Sequence, residues 1–449
     1  MRSKLILLLA FFVCTLGLAQ TPEPKPNDAR PAPLKGLRVP RLHREVLRPG
    51  DRLAICGDSI TEQKMYSRIM EDYLTMCVPE LKVTVRQYGW SGERAPGFLA
   101  RMTNDCLRFK PTIATTCYGM NDHEYRPYEV RMGNTYRDSS TAIVEAFKAH
   151  GVRMVLGSPG CVGKVPGWQK QTNYTVVELN DSLLRLRDID TEIAEKEGVG
   201  FADVISHMMI ASMQAGRLYL TNYAIAGKDG VHPGWAGHTV MAYAFLKALG
   251  LEDEIGRFMV DLKKKKLTAS PGHKLVSAKD GEFVITSSRY PFCPCLPAGS
   301  AAASYPVCEK DDPEKDNSIR SAMTLIPFNQ DLNRLVLRAT NVKARRTYKV
   351  TWGSQSKTFA AEDLQGGINL AAEFPCNPFC EAFAKVDAAV AAKQAYETTQ
   401  IKKSFRSAEA KADMEGVVAR TETEREPLAA AIKAAFVPVT HTIKVELVK

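Results

Sequence analysis

Between about residues 50 and 250, short apolar runs alternate with longer stretches in which apolar residues recur every three or four positions. The runs at 52–56, 82–87, 112–117, 153–156 and 199–204 predict strands, and the spacing over 62–73, 139–150 and 180–196 predicts helices. Gly151 and Gly198 sit where two of those helices should stop. Strictly alternating strand and helix signals imply a parallel sheet covered by helices on both faces. An open sheet of that kind binds ligands beyond the carboxyl ends of its strands, so chemistry is expected in the turns that follow them.

The pattern changes after Leu251. The segments 282–286, 323–328, 334–339 and 347–352 read as strands, with Leu335, Leu337 and Ala339 alternating with Arg334, Val336 and Arg338. They predict an antiparallel β domain, a small sandwich. The Pro-, Ser- and acid-rich stretch 293–316 reads as a long exposed loop tied by cysteines. Residues 378–436 turn rich in Ala, Lys and Glu and predict a helical pair, with Pro427 starting or kinking a segment, and 441–448 alternates again as a final strand.

The start of the chain has a different character. Arg2 and Lys4 precede the apolar run 5–13, and Gly17-Leu18-Ala19 supplies small residues before a cut at Gln20. The run falls short of the ~20 residues a spanning helix needs and is followed at once by a Pro-rich tract. Residues 1–19 are thus expected to be a signal peptide, 20–45 a Pro-rich linker, 46–255 a catalytic domain and 256–449 an accessory region. No transmembrane helix is expected after cleavage, and Val13 before Cys14 argues against a lipidated form. Location outside the cytoplasm, secreted or periplasmic, follows.

Five cysteines crowd the second half (Cys293, Cys295, Cys308, Cys376 and Cys380), where export makes disulfides the natural reading, with connectivity open. Cys56, Cys77, Cys106, Cys117 and Cys161 lie in or beside apolar segments and read as buried core. No paired Cys-x-x-Cys motif occurs and the histidines are dispersed, so no metal is expected. The net charge of +10 is modest for 449 residues, and no reading pattern for nucleic acid accompanies it.

The chemistry concentrates in four places. The first strand runs into Gly57-Asp58-Ser59, which puts the Ser59 hydroxyl at a strand-to-helix turn facing the crevice. A hydroxyl needs a base to become a nucleophile at neutral pH, and the base needs a partner to fix its tautomer. Asp229 and His232, three apart, offer that pair within one turn. Gly92 after the second strand can bring a backbone N–H to a developing oxyanion, and Asn121 after the third can bring an amide. Each fragment alone has a structural explanation as a cap or turn. Together, in order along one sheet, they fill every role of acyl transfer. Trp90 and His123 are candidates to line the substrate pocket, with Tyr125 and Trp168 as weaker ones. His238 reads as a satisfied histidine, the run 263–266 as a solvated linker end, and Tyr66, Met70 and Tyr73 as core.

These four blocks resemble the SGNH, or GDSL, hydrolase family of serine esterases. Its first block is matched by Gly57-Asp58-Ser59, its second by Ser91-Gly92, its third by Gly119-Met120-Asn121-Asp122 and its fifth by Asp229 to His232. The resemblance covers residues 50 to 250 and implies a flavodoxin-like three-layer α/β/α sandwich. It further implies a triad of Ser59, His232 and Asp229, and an oxyanion hole formed by the N–H groups of Ser59 and Gly92 with Asn121. Gln87 stands where many relatives carry Asn. No Gly-x-Ser-x-Gly elbow is present.

The expectation is therefore an exported serine esterase, working through an acyl-enzyme without a cofactor on small-molecule or polysaccharide esters, O-acetylated carbohydrate foremost. A lipid acyl hydrolase or thioesterase is the enzymatic rival. A non-catalytic carbohydrate-binding envelope protein is the rival of a different class. Oligomeric state is left open, with the Ala-rich segment 378–436 a candidate for association.

Overall fold

A computed structural model describes residues 45–169, 173–219, 223–252, 254–300 and 305–448. The signal-peptide expectation, and the linker expectation up to residue 44, fall on residues outside these. Five parallel strands, β1 (Arg52–Gly57), β2 (Thr84–Gly89), β3 (Ile113–Cys117), β4 (Arg153–Gly157) and β5 (Gly200–Ala202), form one sheet in the order β2-β1-β3-β4-β5. The helices between and after them are α1 (Ser59–Glu62), α2 (Tyr66–Met76), α3 (Ala95–Asp105), α4 (Val130–Ala149), α5 (Val176–Glu197), α6 (Val204–Leu218) and α7 (Trp235–Ala248). The strand order reverses direction at β1 and β3, which opens the crevice beyond their carboxyl ends.

The two-residue period of β1 sorts its side chains between the layers. Leu53 and Ile55 join the core that contains Tyr66, Met70 and Phe245, whereas Ala54 and Cys56 join the one that contains Phe98, Tyr136 and Phe147. The expected helix over 62–73 is divided into α1 and α2, with Lys64 at φ 57° between them. Gly198 caps α5 in the left-handed conformation at φ 65°.

Beyond Leu251 the chain adds β6 (Gly256–Asp261), β7 (Lys266–Ala269), β8 (His273–Lys279), β9 (Glu282–Ser287), α8 (Ile319–Leu325), α9 (Phe328–Asp331), β10 (Leu335–Thr340), β11 (Thr347–Trp352), β12 (Gln355–Ala360), α10 (Ala361–Gly366), β13 (Ile368–Asn369) and α11 (Leu370–Glu373). It closes with α12 (Cys380–Lys402), α13 (Ala408–Ala412), α14 (Met414–Ala435) and β14 (Val439–Leu447). Strands β8, β9, β11, β12 and β14 form the expected antiparallel sheet, but the second sheet, β13-β10-β6-β7, is mixed. There β10 lies parallel to β6, because the chain returns by a long connection instead of a hairpin.

Three other expectations are corrected. Residues 323–328 are not a strand: Ser318 caps α8 by accepting from the Ser321 N–H at 3.2 Å, and Ile319, Ala322 and Met323 bury one helical face. The run 263–266 is a hairpin turn rather than a linker end, its backbone N–H groups at 263 and 264 held by the Asp261 carboxylate. The stretch 293–316 is not simply exposed. Cys293, Cys295, Leu296 and Tyr305 are buried, and the Tyr305 hydroxyl donates to Asp72 of α2 at 2.6 Å. Pro427 lies inside α14 without ending it.

Cys295 and Cys308 form a disulfide, and the sulfur of Cys376 lies within 4.8 Å of both. Cys293 and Cys380 are buried thiols, as are Cys56, Cys77, Cys106, Cys117 and Cys161. No helix among the described residues is long and apolar enough to cross a membrane.

The second half shares its core with the first. Ile55, Phe258, Leu337 and Phe383 belong to one buried cluster, and Ile401, Phe405 and Val417 join the other face of the parallel sheet. Helix α12 lies along α2, where Arg68 holds the Asp387 carboxylate with two N–H groups and Ser67 donates to Gln394 at 2.8 Å. Buried charges survive only when paired in this way.

Candidate active site

The turn that presents Ser59 needs glycine on two sides. A Cβ on Gly57 would stand 2.0 Å from Thr61 Oγ1, and one on Gly89 would stand 2.2 Å from the Glu62 nitrogen. Two glycines thus let α1 fold tightly over the ends of β1 and β2. Asp58 caps the helix by accepting from the Ile60 N–H at 2.9 Å. Burial pushes its carboxyl up to about 7, with the nearby Asp122 and Glu93 adding to the effect against the Ile60 hydrogen bond.

Ser59 Oγ lies 2.8 Å from His232 Nε2, and His232 Nδ1 lies 2.7 Å from Asp229 Oδ2. The other carboxylate oxygen of Asp229 accepts from the Val231 and His232 N–H groups, each at 2.9 Å. Burial disfavours the charge on Asp229, but these backbone donors and the imidazole outweigh it and hold the carboxyl below its usual range. An ionised carboxylate can only accept, so Nδ1 carries the ring proton and Nε2 offers its lone pair to the Ser59 hydroxyl. The side chains of His232 and Asp229 are 27 % and 39 % exposed, which leaves the imidazole open to a ligand.

The oxyanion candidates are tied into the same place by backbone. Trp90 N donates to Gly57 O at 3.0 Å, joining the loop after β2 to the end of β1, and Gly92 adopts φ +74° within that loop. Asn121 donates through Nδ2 to Glu93 O at 3.0 Å and accepts the Tyr125 hydroxyl on Oδ1 at 3.2 Å. Both ends of its amide are therefore oriented, and one N–H remains to meet an anion. Asp122 locks the loop after β3 to the loop after β2 by accepting from Ala95 N and Gly119 N, each at 2.9 Å. Burial raises its carboxyl to about 6 against those hydrogen bonds.

The pocket candidates separate. His123 is buried, with Nδ1 2.5 Å from Met120 O and Nε2 without a hydrogen-bond partner, and burial depresses its pKa to about 4. Its ring begins an aromatic series that reaches the imidazole: His123 to Tyr125 at 4.7 Å, Tyr125 to Trp168 at 5.8 Å, Trp168 to His232 at 5.9 Å. Trp90 instead sits among cations, with Arg101, Lys402 and Arg406 each 5.1 to 5.3 Å from its ring. His238 is buried between the Tyr66 N–H and Gln63 Oε1.

Sequence reasoning missed the support behind the loops. Glu93 clamps Arg101 at 2.6 and 2.7 Å and accepts the Tyr118 hydroxyl at 2.8 Å. Glu62, on α1 one turn after Ser59, accepts from the Ser91 N–H and pairs with Lys402 of α12. A Ser-x-x-Glu pattern reads as an ordinary helix start, and Lys402 lies 340 residues away, so nothing in the sequence links them.

A serine, an imidazole and a carboxylate thus stand in hydrogen-bonded series beyond the carboxyl ends of a five-stranded parallel sheet. Residues 55–240 match the family model described as the GDSL-like Lipase/Acylhydrolase family. That segment is similar to the SGNH/GDSL hydrolases, a family of enzymes that cleave ester bonds. An acetylxylan esterase of Geobacillus stearothermophilus is 25 % identical over 226 residues, spanning 45 % of this chain and 95 % of the relative. The solved structure of BT4096, a gut microbial diltiazem-metabolizing enzyme, superposes with a TM-score of 0.70 at 21 % identity, covering 91 % of this chain and all of that one. That likeness extends the shared fold through the accessory region.

Proposed function

We propose that the protein is a secreted or periplasmic serine esterase that removes acetyl groups from carbohydrate through an acyl-enzyme on Ser59. The observation that carries the mechanism is the series Asp229–His232–Ser59, at 2.7 and 2.8 Å. As Ser59 Oγ attacks the ester carbonyl, Nε2 takes its proton and Asp229 stabilises the imidazolium. The tetrahedral oxyanion is met by the N–H groups of Ser59 and Gly92 and by the free N–H of Asn121. Collapse expels the alcohol with the proton returned from Nε2. Water, deprotonated by the same nitrogen, then releases the acid.

The substrate class rests on the acetylxylan esterase relative, together with an aromatic surface beside the imidazole. Trp168 is 49 % exposed and stands edge-on to Tyr125, the kind of face on which a sugar ring stacks. Export rests on the charged and apolar N-terminal sequence.

Two measurements test the reading. A fluorophosphonate probe should label the wild type and not Ser59→Ala. A 4-nitrophenyl ester series, with acid release from acetylated xylan, should show an optimum at acetate. An optimum at long acyl chains makes the enzyme a lipid hydrolase, and a folded wild type that takes no label leaves a non-catalytic carbohydrate-binding role.

A further inference from the structure

We propose that Lys402, at the end of accessory helix α12, is a positioning residue for the oxyanion loop and acts through Glu62. The inference rests on the reading of Gly92 as an oxyanion donor. Lys402 Nζ lies 2.8 Å from both carboxylate oxygens of Glu62, and Glu62 Oε2 accepts from the Ser91 N–H at 2.5 Å. Ser91 immediately precedes Gly92, so one carboxylate joins the helix that begins at Ser59, the loop that carries Gly92 and the C-terminal helical region.

The loop depends on such tethers. A Cβ built on Gly92 meets no atom within 4 Å, so nothing is packed against Gly92 itself from that side. Its fixed points include Trp90 N on Gly57 O, Glu93 N on Trp90 O, Ser91 N on Glu62, Asn121 Nδ2 on Glu93 O and Arg101 on the Glu93 carboxylate. Lys402 serves two of them, since its ammonium also lies 5.3 Å from the centre of the Trp90 ring, beside the Arg406 guanidinium at 5.2 Å. Arg406 is itself held by Asp105 at 2.5 and 3.0 Å. Glu62 and Lys402 are 21 % and 27 % exposed, shielded enough to hold a geometry that a fully solvated pair would not keep. Lys64 Nζ bonds the Glu62 carbonyl at 2.6 Å and leaves the carboxylate to Lys402 and Ser91.

A donor displaced by a fraction of an ångström stabilises the oxyanion less while ground-state binding is kept, so kcat should fall with little change in KM. The test compares wild type, Lys402→Met, Lys402→Arg and Ser59→Ala in kcat and KM on 4-nitrophenyl acetate, fluorophosphonate labelling rate and Tm. Methionine keeps the apolar stem over Trp90 and removes the charge. The proposal expects kcat and the labelling rate to fall roughly tenfold in Lys402→Met, less than the about 10²–10³ lost with an oxyanion donor. KM should stay within about twofold, Tm should be unchanged and arginine should restore most of the rate. Wild-type rates in Lys402→Met, or a loss that follows a fall in Tm, overturn the positioning role while the esterase reading stands. A wild type that neither hydrolyses nor labels overturns both.

Discussion

The carboxylate of Glu397 accepts a hydrogen bond from the backbone N–H of Gln87 at 3.1 Å. Gln87 lies in β2, the outer strand of the parallel sheet, whose unpaired edge would otherwise face solvent or another chain. Two residues earlier, Val85 O accepts from Lys393 Nζ at 2.6 Å. Helix α12 thus substitutes charged side chains for a sixth strand, and Glu71, Lys393, Glu397 and Arg425 neutralise one another behind it. The Gln87 side chain bridges the same junction by donating to Thr61 O at 2.7 Å.

Removing the acid from this buried group should expose its weakness. Glu397→Ala leaves Lys393 and Arg425 short of a counter-charge and the Gln87 N–H without an acceptor. Breaking a buried pair from one side costs about 3–5 kcal/mol, so the variant should unfold at clearly lower urea concentration with the same m value. Loss within about 0.5 kcal/mol would show that water replaces the carboxylate and that α12 does not secure the edge.

The relay that acts on Ser59 should fail as a unit. Ser59→Ala, His232→Ala and the double variant should each lose at least about 10³ in kcat, with the double no worse than either single. Asp229→Asn removes the charge that fixes the Nδ1 proton and should cost roughly 10³–10⁴. Additive losses in the double variant would mean that Ser59 and His232 do not share one proton transfer.

Asn121→Ala separates oxyanion stabilisation from nucleophile activation. It should lower kcat by roughly 10²–10³ while fluorophosphonate still labels Ser59, though more slowly. Tyr125→Phe removes only the hydroxyl that orients the amide carbonyl, and a fall of a few-fold in kcat is expected. Equal losses in the two variants would mean that the amide stabilises the oxyanion only when the Tyr125 hydroxyl orients it.

Much of the α/β layer was legible because its strands are short apolar runs with turn chemistry at their ends, and Gly57-Asp58-Ser59 and Asp229 to His232 are local in sequence. The helical pair and the last strand were legible for the same reason, since 3.6- and 2-residue periods survive without tertiary context. What failed was non-local. Residues 323–328 are apolar enough for either structure, and the Ser318 cap decides for helix. The burial of 293–316 depends on Tyr305 finding Asp72, and the parallel pairing of β10 with β6 depends on where a long connection returns. The ion pair of Lys402 with Glu62 has no signature in either neighbourhood.

Stability should fall on acidification through a buried relay that works only with neutral imidazoles. Trp352 Nε1–H donates to His441 Nδ1 at 3.1 Å, so His441 carries its proton on Nε2 and donates to Ser287 Oγ at 2.9 Å. Ser287 in turn donates to His273 Nδ1 at 2.7 Å, and His273 Nε2–H donates to Ile255 O at 3.1 Å. Every donor and acceptor is used once, and a second proton on either ring breaks the series. Burial lowers the pKa of His441 to about 3, and a charge on the nearby His273 would lower it further; burial also lowers that of His273, with Arg289 adding to the effect against the Ile255 hydrogen bond. The unfolded chain takes up these protons near 6.5 and the folded chain does not, so the contribution is complete above 6.5 and shrinks as pH falls toward 3. Asp58 and Asp122, raised to about 7 and about 6, act in the opposite sense, since the folded state holds protons the unfolded state has lost above about 4. Comparison with His441→Asn isolates the relay. Between pH 6 and 4 the wild type should lose up to about 1.4 kcal/mol per pH unit more than the variant, read from urea unfolding at fixed ionic strength. Parallel slopes for the two proteins would mean that His441 takes up its proton in the folded state near the usual imidazole range.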